Sequence, residues 1–259
     1  MRGPMALRCI ETEARSPVNK PVDWKVAVDR RLMDVGVEGW TTGMLWNEAR
    51  ATASPPSKPT FERWLSTAEA SGRLRKVRKG LFLNATGNKS VSAGAAAGQI
   101  KHTAVPSLAW VLEQNWILNN MGDAITCVVS LTSGLNVPNL SAVKTPVGEF
   151  RFRALPWHVY ELDGLNITDW RDARYAHPRA TPEKALCDWL YLAASPRSPV
   201  RYPPLDMEVD RFNAGRLRRV AKAMGIQERL RSWLESQKRY SNDPDVIENA
   251  STKTTAPSW

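Results

Sequence analysis

Residues 58–84, KPTFERWLSTAEASGRLRKVRKGLFLN, constrain the fold more than any other stretch of the 259-residue chain. Phe61, Trp64, Leu65 and Ala68 recur every three or four residues, which draws a single apolar stripe along a helix. Pro59 suits the first helical turn, where its missing N–H removes no bond. Gly72 supplies the left-handed residue that closes a helix. Leu74, Val77, Leu81 and Leu83 then mark two short strands, with Lys79 and Gly80 as the turn between them. A helix followed by a cationic hairpin is what the second half of a winged helix-turn-helix requires.

The side chains this pattern turns outward are those a DNA-binding surface uses. On the helix they are Lys58, Thr60, Arg63 and Thr67, preceded by Ser57; on the hairpin they are Arg73, Arg75, Lys76, Arg78 and Lys79. The helix has the size to enter a major groove, and the hairpin carries phosphate-seeking charge. The plainer reading is a solvated amphipathic helix beside a basic loop, and the upstream sequence argues against it. Trp24, Val28, Leu32 and Val35 repeat at helical spacing. Thr41 or Thr42 caps a second helix over residues 43–51, with Met44, Leu45 and Ala49 on its buried side. Residues 54–57, rich in proline, form the turn before the third helix. Helix, short extended segment, helix, turn, helix, hairpin is the winged-helix order.

The net charge of +10 favours a polyanionic partner, nucleic acid before membrane. No run approaches the roughly 20 apolar residues of a membrane span, and the first twenty residues lack a signal-peptide core. A cytoplasmic protein is the expectation. Cys9, Cys127 and Cys187 are far apart and odd in number, and form neither a disulfide framework nor a metal-spaced set; Cys127 and Cys187 read as reduced, buried thiols.

The expected fold class is α+β. Residues 1–21 read as a flexible leader, 22–84 as the winged helix-turn-helix, 85–98 as a linker of small residues, 99–240 as a mixed α/β domain, and 241–259 as a disordered tail. In the α/β domain, Leu108, Val111, Leu112 and Ile117 mark a helix, and residues 124–131, AITCVVSL, a buried strand. Residues 143–155 read as a hairpin with Phe150 and Phe152 alternating with Arg151 and Arg153. Residues 158–160 continue extended, and 165–174 form a polar surface segment. Residues 181–194 are the clearest helix, with Thr181 as cap, Pro182 at the first position and Glu183 facing the N-terminal dipole. On that helix Lys184 reads as solvated. A proline-rich linker at 195–204 precedes two amphipathic helices divided near Gly225.

The residues offer little chemistry. His102, His158 and His177 have no second ligand at metal spacing, no phosphate-cradling glycine loop follows a strand, and no nucleophile elbow occurs. Cys187 falls on a packed helical face. No enzymatic activity, metal or cofactor is expected. Arg151, Arg153, Arg171, Arg174 and Arg179 have two readings: a second basic face for RNA, DNA or an acidic protein, or the solvated outer side of a sheet.

Three strings resemble the AbiEi antitoxin family of AbiE-type toxin–antitoxin systems: GRLRKVRKGLFL at 72–83, TPVGEFRFRALP at 145–156, and RATPEKALCDWLYL at 179–192. They occur in the family's order, within a resemblance spanning residues 24–238. The resemblance implies a bacterial antitoxin that also represses its own operon, binding double-stranded operator DNA as a monomer or weak dimer with cooperativity. It implies a nucleotidyltransferase-like toxin as functional partner, without a stable complex. The alternatives are an interaction module that neutralises its toxin by direct binding, and a stand-alone winged-helix transcription factor.

Overall fold

The computed structural model describes residues 23–34, 37–86, 91–119, 122–131, 139–196 and 198–243. Helices and two sheets make it α+β. Near the N-terminus, α1 (Trp24–Asp34), β1 (Gly39–Thr41), α2 (Thr42–Arg50), α3 (Lys58–Ala70), β2 (Leu74–Arg78) and β3 (Leu81–Asn84) follow one another. The strands form an antiparallel sheet in the order β1-β3-β2. Local chemistry sets the boundaries. The Thr41 hydroxyl accepts the Met44 N–H at 3.1 Å and starts α2. Gly72, at φ +74°, ends α3, and Gly80, at φ +77°, turns the hairpin.

This sheet is a wall between two cores. Phe82 and Leu74 face Trp24, Val28, Leu45, Phe61 and Trp64 of the three helices. Trp24 meets Trp64 edge-on at 5.7 Å, and Trp46 meets Phe61 at 5.0 Å. Val77, Leu81 and Leu83 belong instead to the larger core of the second half. All four residues of β3 are therefore buried.

The expected linker is in part built into that larger core. A 3-10 turn (Ala93–Ala96) runs into α4 (Ala97–Ile100), and Ala95, Ala96 and Ala97 are buried. The composition that reads as a spacer has a packing role: a Cβ on Gly94 would lie 2.6 Å from the Trp110 ring. Small side chains let this backbone press against its neighbours.

The second sheet has the order β4 (Val105–Pro106), β5 (Ala124–Leu131), β7 (Gly148–Pro156), β6 (Val143–Thr145). β5 and β7 run parallel, Ala124 opposite Glu149 through Leu131 opposite Pro156, while the other pairings are antiparallel. Burial at the centre explains the continuous apolar run of β5. α5 (Leu108–Glu113) packs on β5 and on α8 (Pro182–Ala193), which also meets α9 (Ala214–Ala223) and α10 (Gln227–Asn242).

Several expectations change. Residues 157–160 form a helical turn, α6 (Trp157–Tyr160), rather than extended chain. The segment read as polar surface contains α7 (Ile167–Trp170) and buries Trp170 and Asp172. The proline-rich stretch is pinned, since the Trp189 indole donates to Arg201 O at 2.8 Å and the Trp233 indole to Pro203 O at 3.2 Å. Lys184 is buried, not solvated. The expected leader lies outside the described residues, as does the expected tail beyond Asp243; α10 itself runs to Asn242.

Candidate nucleic-acid interface

α3 buries Phe61, Trp64 and Ala68 and leaves Lys58, Arg63 and Thr67 exposed, as its stripe requires. Arg63, Thr67 and the half-buried Thr60 line a groove shared with Lys25 and Asp29 of α1 and closed by Arg73. Ser57 and Thr60 share a hydroxyl hydrogen bond of 2.8 Å at the start of the helix. The Thr67 hydroxyl donates to Arg63 O at 2.9 Å.

The hairpin does not present its charges as one face. Arg75 pairs with Leu83 and Lys76 with Phe82. Cross-strand partners share a face, and Leu83 and Phe82 belong to different cores. Arg75 and Lys76 therefore emerge on opposite sides of the sheet. α3 lies on the Phe82 side, so Arg63 and Arg75 are on opposite sides as well. Period-two alternation in a strand pair buried on both faces forces this division.

Three hairpin cations are also engaged internally. Arg73 Nη1 lies 2.8 Å from both carboxylate oxygens of Asp29, and its guanidinium sits 5.9 Å from the Trp64 ring. Lys76 pairs with Glu69 at 3.3 Å. Arg78 donates to Gln99 O at 3.1 Å, a link from hairpin to second half. Lys58, Arg63, Arg75 and Lys79 are exposed and form no ion pair among the described residues. Lys25 joins them from α1. Its outward position beside Trp24 on the first helix was the available signal.

The five arginines of the second half do not make a free basic face. Arg151 pairs with Glu149 at 2.9 Å, and Arg171 with Glu161 at 2.9 Å. Arg174 chelates Asp172, with Nη2 at 2.6 Å, and donates to Asn115 at 3.0 Å. Burial would raise the Asp172 carboxyl, but the Arg174 hydrogen bonds outweigh it and hold the group below its ordinary value. Arg153 is half-buried, and burial holds its guanidinium below the usual range. Arg179 is 1 % exposed and lies between the rings of Tyr175, at 4.0 Å, and Trp110, at 4.9 Å. It is core, held by cation–π contact rather than by solvent.

Two polar sites were missed in the sequence. Lys184, Asp188 and Ser107 form a buried cluster in which Asp188 accepts from the Lys184 ammonium and, at 2.7 Å, from the Ser107 hydroxyl. Burial pushes the Asp188 carboxyl up, against the pull of Lys184. The i, i+4 spacing of Lys184 and Asp188 on α8 was the only local sign. His177 meets Glu38 across 139 residues, Nδ1 to carboxylate at 2.6 Å, and ties the second half to the segment before β1. Burial holds His177 below its ordinary value, and Glu38 opposes this. No metal-holding cluster of His, Cys, Asp or Glu occurs among the described residues. Burial raises the thiols of Cys127 and Cys187, as expected of structural cysteines.

No family model matches the chain, and no curated protein matches it. One solved structure, "Crystal structure of RV2827C protein from Mycobacterium tuberculosis", is similar over 84 % of this chain and 78 % of that one. The identity is 11 % and the TM-score 0.47. No described helix is long and apolar enough to cross a membrane.

Proposed function

We propose that the N-terminal unit is a winged helix-turn-helix, and that the chain is an antitoxin which represses its own operon by binding duplex DNA upstream of its gene. The observation that carries this reading is the exposure of Lys58, Arg63 and Thr67 on α3, whose buried side packs within the N-terminal core. Thirteen residues span about 20 Å, enough to lie in a major groove about 12 Å wide. Lys25 lines the same groove as Arg63 and Thr67, and Lys79 at the hairpin tip reaches the adjoining backbone. Arg73 and Lys76 are engaged within the unit and Arg78 with the second half, so the footprint is narrower than the sequence suggested.

The antitoxin assignment rests on the likeness of residues 72–83, 145–156 and 179–192 to the AbiEi pattern. On that reading the second half counteracts a nucleotidyltransferase-like toxin. Fluorescence anisotropy with the DNA upstream of the gene tests the binding. About six neutralised phosphates give a log–log salt slope near −5. A flat salt response, or no preference over random DNA, would remove the repressor.

A further inference from the structure

α5 ends in a left-handed residue. The Trp116 N–H donates to Glu113 O at 3.0 Å, the Ile117 N–H donates to Leu112 O at 2.9 Å, and Trp116 has φ +57°. In this helix-ending motif the left-handed position normally belongs to glycine, because a Cβ there strains the backbone. Trp116 is also 67 % exposed, so its ring is not anchored by a core. The other two such residues have local reasons for their conformation. Leu108 is buried, and Thr103 accepts from Ser130 N–H and, through its carbonyl, from the Tyr160 hydroxyl. At Trp116 neither backbone preference nor burial explains the residue, and such local conflicts concentrate where a ligand is met.

Asn115 and Ile117, on either side of it, line an open cleft of about 780 Å³; Trp116 itself stands outside that lining. Four guanidiniums line the same cleft: Arg171, Arg174, Arg211 and Arg216. Against them stand two carboxylates, Asp172 and Glu183, which leaves the lining at +2. Both carboxylates are occupied. Asp172 is chelated by Arg174; Glu183 accepts the Asn213 N–H at 2.7 Å and faces Arg216 at 3.4 Å. The starts of α8 and α9 are already capped by Thr181 and Asn213. The remaining donors are guanidinium N–H groups. Arg211 is exposed and unpaired among the described residues, while the buried Nε atoms of Arg171 and Arg216 have no hydrogen-bond partner, that of Arg216 lying 3.9 Å from Asp169. Arginines pinned by one edge offer the other edge to a phosphate without ordering cost.

We infer that this cleft binds a nucleoside phosphate, with the phosphate on Arg174 and Arg211 and the base stacked on Trp116. An aromatic face beside a guanidinium cluster is the chemistry that recognises an unpaired base and its phosphate. The source is either a free nucleotide or the phosphorylated end of a single strand. This surface is separate from α3, so it stands or falls apart from the repressor reading.

Calorimetry on the full chain with AMP and with a 5′-phosphorylated eight-nucleotide RNA tests it. Saturable binding is expected for at least one. AMP binding alone assigns a free nucleotide; tighter RNA binding assigns a strand end. Trp116→Gly is expected to keep or raise the melting temperature, since glycine suits the motif, and to weaken the ligand about tenfold. Arg211→Gln is expected to weaken it similarly, and Arg63→Ala to leave it unchanged. Absence of saturable binding to both ligands overturns the inference. So does wild-type affinity in a folded Trp116→Gly variant, or loss of the RNA in Arg63→Ala instead.

Discussion

The hairpin at residues 72–83 carries five cations and no acid in twelve residues, and the stretch at residues 171–188 carries four cations and three acids in eighteen. The fold uses them differently. The hairpin leaves Arg75 and Lys79 exposed and ties Arg73, Lys76 and Arg78 to neighbours on either face. The later stretch buries Arg179, Lys184 and Asp188 outright and neutralises Arg171 and Arg174 with carboxylates. Charge in a sequence becomes surface only where the sheet or helix beneath it has a free side. The net charge of +10 therefore overstates the cationic surface of the second half.

The largest effect that would sharpen this contrast comes from the buried pair. Asp188→Ala leaves the Lys184 ammonium without its carboxylate in the core and is expected to cost about 3–5 kcal/mol in chemical denaturation. The double variant Lys184→Met/Asp188→Leu is expected to recover most of that. A loss under 1 kcal/mol in Asp188→Ala would mean that Lys184 reaches solvent.

The hairpin supplies the next comparison. Arg73→Ala removes a bidentate contact to Asp29 whose partners are about one-third exposed, so solvent screening keeps the loss to about 1 kcal/mol. Lys79→Ala, at the exposed hairpin tip, is expected to leave the denaturation midpoint in place and lower the salt slope of DNA binding by about one. Exchange of these two outcomes would invert the division between structural and binding cations of the hairpin.

pH gives a smaller effect with a definite sign. His177 is held below its ordinary value in the fold, so the unfolded chain binds the proton more readily. Its contribution is intact above the unfolded value of about 6.5 and is lost as pH falls toward the folded one. Glu113 acts oppositely. Burial raises it to about 7, so its neutral form stabilises the fold at low pH and the advantage fades as pH rises from about 4.5 to 7. Melting temperatures of wild type and His177→Gln between pH 7.5 and 5 separate them. The acid-side loss is expected to shrink in the variant, and parallel curves would remove His177 as its source. The smallest effect is at Arg171: Arg171→Ala is expected to cost at most about 1 kcal/mol, because its partner Glu161 is partly solvated.

The N-terminal elements were legible because their signals are local. Pro59, Gly72, Gly80 and the Phe61–Trp64–Ala68 stripe each fix a boundary or a face within a few residues. The helix at Thr181 was legible for the same reason. What stayed hidden depends on distant partners. Nothing near residue 94 announces Trp110, nothing near Glu38 announces His177, and nothing in the hairpin announces that its second face is covered. Arg179 and Lys184 carry solvent-type side chains that only a tertiary neighbourhood of aromatic rings or a carboxylate can bury.

On the proposed reading, α3 contacts DNA bases while the hairpin tip holds the backbone. The direct measurement is the affinity of Arg63→Ala and Lys79→Ala for the upstream DNA and for a random duplex of equal length, at one salt concentration. Arg63→Ala is expected to lose affinity for the upstream DNA alone, by about 1–3 kcal/mol of discrimination, and Lys79→Ala to weaken both duplexes alike. Equal losses on both duplexes for Arg63→Ala, or no loss in either variant, would contradict that reading.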